Sequence, residues 1–138
     1  MAGKMSRDKG ARGEREVIGM CQPIVDEVYT ACGQTPPRLQ RNSLQSDGGG
    51  CDIAGLDWIA IEVKWHEKPV VHKFWQQALE QAGATKVPVL IYRSNGVAWK
   101  VMLWGQIGNR YGTARRVAVT VRAVDFLEWF RAELASRI

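Results

Sequence analysis

No run of apolar residues in this 138-residue chain approaches the roughly 20 needed to cross a bilayer as a helix. The opening stretch, MAGKMSRDKGARGER, also lacks the apolar segment of a secretory signal. A soluble protein of the cytoplasm, without membrane contact, is the expectation. Cysteine is sparse as well. Cys21, Cys32 and Cys51 make an odd number, and none belongs to a C-x-x-C pair. That argues against a disulfide framework and against a structural zinc site. The three thiols are expected to pack buried or half-buried, as small hydrophobes. Internal repeats and linker-like stretches are also missing, so residues 1–138 read as one domain, with 1–6 as a frayed end.

Negative charge has its own gap. Between Gln81 and Val124 there is no Asp or Glu, whereas Lys86, Arg93, Lys100, Arg110, Arg115, Arg116 and Arg122 all fall there. The chain carries a net charge of +5. A long stretch of one sign suits a polyanion-binding face, because each neutralised phosphate releases counterions. It equally suits a solvated basic face.

What is present is a core. Hydrophobic residues make up 46% of the chain, enough for a core in a domain of this size. Val17, Met20, Cys21 and Ile24 recur at helical spacing, which predicts a helix over Arg7–Cys21. Pro23 is expected to kink it or to open a second helix over Pro23–Ala31, ended by Gly33 and Pro36-Pro37. Arg38–Gln45 reads as a short edge strand. The loop Ser46–Gly50 follows, suited to close ligand approach or to a flexible connection. Strand character returns at Cys51–Ala54 and Trp58–Trp65. A helix fits Val71–Ala82, with Phe74, Trp75, Ala78, Leu79 and Ala82 on one side. Strands follow at Pro88–Tyr92, Val97–Trp104 and Val117–Val121, with Gly105–Arg116 as a loop and Val124–Ser136 as a closing helix. This order predicts an α/β domain with a mixed central β-sheet flanked by helices.

The chemistry concentrates on two neighbouring strands. Asp52 lies on one, and Glu62 and Lys64 lie on the next. Residues two apart on a strand share a face, so Glu62 and Lys64 project together, and a turn at Gly55–Asp57 returns Asp52 to the same edge. Carboxylates are hard oxygen ligands suited to Mg²⁺, with Mn²⁺ as a substitute, and the Val63 carbonyl is a further candidate ligand. Lys64 is placed to orient an attacking water or to accept its proton. An exposed ion pair at a strand end is the plainer reading of the same residues. His66 and His72 lie nearby, and Trp65 and Trp104 are the tryptophans best placed for base stacking.

Two segments carry a resemblance. The first is Lys9-Gly10-Ala11-Arg12-Gly13-Glu14-Arg15-Glu16-Val17; the second is Cys51-Asp52-Ile53-Ala54-Gly55 with Ile61-Glu62-Val63-Lys64. Together they resemble the PD-(D/E)XK nuclease superfamily, most closely the archaeal-type Holliday junction resolvases and their phage-encoded relatives. Cys51 stands where the superfamily's name has proline. The resemblance implies a restriction-endonuclease-like core. It implies a catalytic set of Glu14, Asp52, Glu62 and Lys64, with metal held by Asp52, Glu62, the Val63 carbonyl and Glu14. It places Arg15 on the DNA backbone and makes Arg41 the candidate loop arginine; Lys9, Arg12, Lys68 and Lys73 complete the expected DNA contacts. The implied activity is metal-dependent paired nicking of four-way DNA by a homodimer, with no organic cofactor, in the host cytoplasm for a phage enzyme. Apolar residues of the Val71–Ala82 helix and later strands are expected at the dimer interface. Other substrates for the same chemistry are general duplex, flaps or restriction-type targets. A non-catalytic DNA-binding module is the remaining alternative.

Overall fold

A hydrophobic face on every second residue of each central strand lets one sheet take helices on both sides, and the chain is built that way. The computed structural model describes residues 2–42, 51–112 and 114–138. In chain order the elements are α1 (Ala2–Ala31), β1 (Gln40–Arg41), β2 (Ile53–Ala54), β3 (Ile59–Trp65), α2 (Val71–Ala82), β4 (Val87–Arg93), β5 (Lys100–Gly108), β6 (Ala114–Arg122) and α3 (Ala123–Arg137). The six strands lie in sequence order in one mixed sheet. Among the described residues only β3 and β4 run parallel, and α2 is the crossover that a parallel pair requires. The expected α/β class and mixed sheet are what the chain adopts.

Odd-numbered residues of β3 and β4 face α1 and α3. Ile59, Ile61, Val63, Val89 and Ile91 pack there with Val17, Cys21, Val25, Phe126, Phe130 and Leu134. Even-numbered residues face α2, where Leu90 and Tyr92 meet Phe74, Trp75 and Ala78. Because Phe74, Trp75, Ala78 and Ala82 are buried against their own sheet, the apolar side of α2 is not a free dimer interface, contrary to expectation.

Several boundaries differ from the sequence reading. α1 runs unbroken from Ala2 through Pro23 to Ala31, so among the described residues no separate second helix is found. Pro23 removes one N–H, but the helix on both sides is held by the core packing of Val17, Cys21, Ile24 and Val28. Cys32 is exposed, because it follows the last residue of α1, whereas Cys21 and Cys51 are buried. The described part of the edge strand is only Gln40–Arg41, and Ser46–Gly50 lies outside the described residues. β5 begins later than expected, at Lys100, and runs on to Gly108. The Gly105–Arg116 loop is in large part a hairpin, with Gly105↔Val117 through Gly108↔Ala114 in register. Ladder hydrogen bonds join backbone to backbone, so glycines did not prevent them, and Asn109 closes the turn by accepting from Tyr111 N–H at 2.9 Å and Gly112 N–H at 3.1 Å. Among the described residues no helix is long and apolar enough to cross a membrane.

Alternation along the strands also divides the basic stretch. Arg93 lies on the α1 face beside Glu16, whereas Lys100, Arg116 and Arg122 share the α2 face and Arg115 takes the other. The span is not one continuous basic face.

Gly55 fixes the hairpin that carries Asp52. Its φ of 131° disfavours any L side chain, and a Cβ there would stand 2.9 Å from the Arg38 carbonyl oxygen. Gly55→Ala is expected to cost about 1–3 kcal/mol of stability, read as a lowered denaturant midpoint at unchanged slope. A midpoint equal to wild type would show that the turn relaxes freely.

Candidate active site

The register places the two carboxylates. Ile53 pairs with Ile61, and Asp52, the residue before β2, also bonds the Ile61 carbonyl, which brings its side chain beside Glu62 at the β2–β3 edge, close enough for its charge to act on the Glu62 carboxyl. Asp52 is fixed on three sides: its N–H donates to Ile61 O at 3.0 Å, and its carbonyl accepts from Asn42 N–H at 2.8 Å. Its Oδ2 accepts from Val63 N–H at 2.7 Å. The Asp52 side chain thus takes the place of a strand partner where β2 stops. Strand geometry directs the Val63 carbonyl to the same edge as its N–H.

Both carboxylates are buried, Asp52 at 7% exposure and Glu62 at 3%. Burial pushes the Glu62 carboxyl up to about 8; the Asp52 charge adds to the rise, and Lys64 opposes it. Glu62 Oε1 is buried with no hydrogen-bond partner among the described residues. Lys64, two residues on, shares the Glu62 face, and its Nζ lies 5.2 Å from the centre of the Phe74 ring of α2.

Glu14 arrives from the opposite layer. Gly13 of α1 lies buried against the strands: a Cβ there would stand 3.2 Å from Trp99 and 3.4 Å from Val63. With α1 seated so close, Glu14 and Glu16 emerge on opposite sides of the contact. Glu14 turns toward the open edge, where Arg41 Nε donates to its Oε2 at 2.6 Å. Burial raises the Glu14 carboxyl, the Arg41 hydrogen bond lowers it, and the Asp52 charge raises it further. Glu14, Arg41, Asp52, Glu62 and Lys64 therefore gather at one edge of β3.

Glu16 turns the other way, accepting from Trp99 Nε1 at 3.0 Å and pairing with Arg93 at 3.5 Å. The sequence reading missed this support. Arg12 and Arg93 lie over the Trp65 ring at 5.1 and 4.6 Å, and Asn95 accepts from Trp65 Nε1 at 3.0 Å and from Lys9 Nζ at 2.9 Å. The only advance signal was the Asn95-Gly96 turn. Lys9 and Arg12 thus sit beside Trp65, while Arg15, Lys68 and Lys73 are exposed, the Arg15 charge also lowering the Glu14 carboxyl. His66 packs on Phe74 at 4.7 Å, and burial, with Lys64 and Lys9, lowers its pKa. Trp104 carries Arg116 over its ring at 4.3 Å.

Can these residues hold a divalent cation? Among the described residues no three His, Cys, Asp or Glu side chains form an all-protein cage. Magnesium does not need one, since one or two carboxylates plus waters and a substrate phosphate suffice. The Asp52–Glu62 pair, with its unpartnered Glu62 Oε1, meets that requirement. An oxygen buried without a partner is costly in isolation, and a bound cation would offset that cost.

A mixed sheet with an α2 crossover, helices on both faces and an acidic pair at the edge of its central strand is the architecture of restriction-endonuclease-like nucleases. A family model described as "Phage putative PDDEXK endonuclease" matches residues 5–127, and the chain belongs to that family. It is therefore an endonuclease of the PD-(D/E)XK type. No curated protein and no solved structure matches the chain significantly.

Proposed function

We propose that this endonuclease is magnesium-dependent and structure-specific, and that it resolves four-way DNA junctions by paired nicks. The observation that carries the catalytic part is the Asp52 carboxylate, held by Val63 N–H, lying beside the buried Glu62 with Lys64 on the Glu62 face. Asp52 and Glu62 would hold the cation, with the Val63 carbonyl and Glu14, and Mn²⁺ would substitute for Mg²⁺. When bound it would supply acidification of water and electrostatic relief of charge developing on the phosphoryl oxygens. Lys64, steadied by Phe74, directs the attacking water or takes its proton. Arg41 and Arg15 engage the neighbouring phosphates, with Lys9, Arg12, Lys68 and Lys73 further out.

The junction reading draws on the resemblance of the Lys9–Val17 and Cys51–Lys64 segments to resolvases. Each chain carries one such set of residues, and two opposed incisions require two sets, which a two-fold homodimer supplies. Immobile four-way junctions with Mg²⁺ are expected to yield symmetric nicks. Equal cutting of linear duplex would sink the junction specificity and leave a general nuclease. No cleavage with either Mg²⁺ or Mn²⁺ would sink the catalytic assignment.

A further inference from the structure

The β5–β6 hairpin extends beyond the sheet. Its ladder with β4 ends at Val89↔Leu103, next to Pro88, which has no N–H to donate. Pairing with β6 continues from Trp104↔Ala118 to Gly108↔Ala114. Beyond Gly105 both faces of this two-stranded ribbon are open: Gln106, Ile107, Arg115 and Arg116 are all exposed. At the turn Tyr111 is 76% exposed with Arg110 stacked on its ring, and Ile107 is 60% exposed. An isolated hairpin is marginal in water, and this one adds little to the core. From Trp104 to Ala118 it contains three arginines and no acid.

We infer that this ribbon is a DNA-binding arm, occupying the major groove of the duplex that flanks the cleavage site. The inference rests on the DNA-nuclease reading and deepens it. A two-stranded ribbon fits the major groove, which is about 12 Å wide. Arg115 and Arg116 project to opposite faces and Arg110 stands at the tip, so guanidinium groups are offered to both phosphate walls. A second copy of the chain is a poor occupant, because it would bring arginine onto arginine. From the Glu62 row at Met102 to Gly108 the strand advances about 20 Å, and β5 lies about 10 Å across the sheet from β3. The arm therefore meets duplex roughly six or seven base pairs from the cut phosphate, at about 3.4 Å per pair.

The test compares wild type with the double variant Arg110→Ala, Arg115→Ala, both at exposed positions outside the catalytic set. Binding is measured without cleavage, in Ca²⁺, to a junction with arms of about 12 base pairs and to one with arms of about 4, across a salt series. On long arms the variant's slope of log affinity against log salt is expected to be shallower by about 1.8, from two lost phosphate contacts. Affinity at low salt should fall on the order of ten-fold, since each such contact releases a counterion. On short arms the two proteins should bind alike. Equal slopes on long arms would overturn the proposal and leave the arginines as guards of an exposed strand edge. A variant that changes oligomeric state would overturn it in favour of a subunit contact. Cleavage in Mg²⁺ separates the two readings: a wild type that cuts, with a variant that binds long arms at the same salt slope, sinks only the arm. Arm-dependent binding without any cutting sinks only the nuclease assignment.

Discussion

Asp52→Asn is expected to lower DNA cleavage in Mg²⁺ by about 10³-fold or more, because in the proposed mechanism electrostatic stabilisation worth several kcal/mol depends on a cation that this carboxylate would hold. The fold should survive the change. Asparagine keeps an oxygen that can accept from Val63 N–H, and the backbone bonds to Ile61 and Asn42 are untouched. DNA affinity should stay level or rise, since a negative charge near the phosphate is gone. Cleavage and equilibrium binding measured on one preparation decide the matter. Retained cleavage would mean that Asp52 is only structural, and a parallel loss of binding would point to a damaged fold. The substitution also removes the second-largest influence on Glu62, whose carboxyl should titrate lower than in wild type.

The second large effect is a pH-dependent stability governed by Glu62. Its folded value of about 8 lies above the ordinary 4.5. Below pH 4.5 the group is protonated whether the chain is folded or not, and its contribution to stability is fully present. As pH rises toward 8 the unfolded chain releases this proton while the folded chain keeps it, so stability is progressively lost; above 8 the loss is complete. Glu14, also raised by burial, acts in the same sense. In the proposed site a divalent cation would replace the proton, so the rise in Tm on adding Mg²⁺ should be larger at the alkaline end of this window than at the acid end. Calorimetry across the window, with chelator and with Mg²⁺, reads both effects. Glu62→Gln should flatten the metal-free profile and abolish most of the Mg²⁺ response. An unchanged profile in that variant would show that Glu62 does not govern it.

Much of the site is legible in the chain because strand periodicity is local. The alternation of Ile59, Ile61 and Val63 with Ala60, Glu62 and Lys64 needs no knowledge of the rest of the molecule to put an acid and a base on one face. Gly55 marks the turn behind it, and the even-numbered side of β3 is polar only at Glu62 and Lys64. The pairing of Glu14 with Arg41 is of another kind. It joins residues 27 positions apart and depends on how closely α1 sits on β3, which the absence of a side chain at Gly13 decides. The Glu16–Trp99 and Lys9–Asn95 contacts span 83 and 86 positions and are equally invisible to a periodic pattern. Errors arose where composition stood in for pairing: glycines around Gly105–Gly112 pointed to a loop, although ladder bonds need only a backbone opposite.

The sequence by itself determined the α/β class, the order of the elements, and the placing of Glu62 and Lys64 together, because side-chain direction follows from position along a helix or strand. Only tertiary structure decided that Asp52 is held beside Glu62 by Ile61 and Val63, that Glu14 reaches the same edge from another layer, and that the basic stretch divides between two faces. Those outcomes depend on register and on the distance between layers, which are set by packing among residues far apart in the chain.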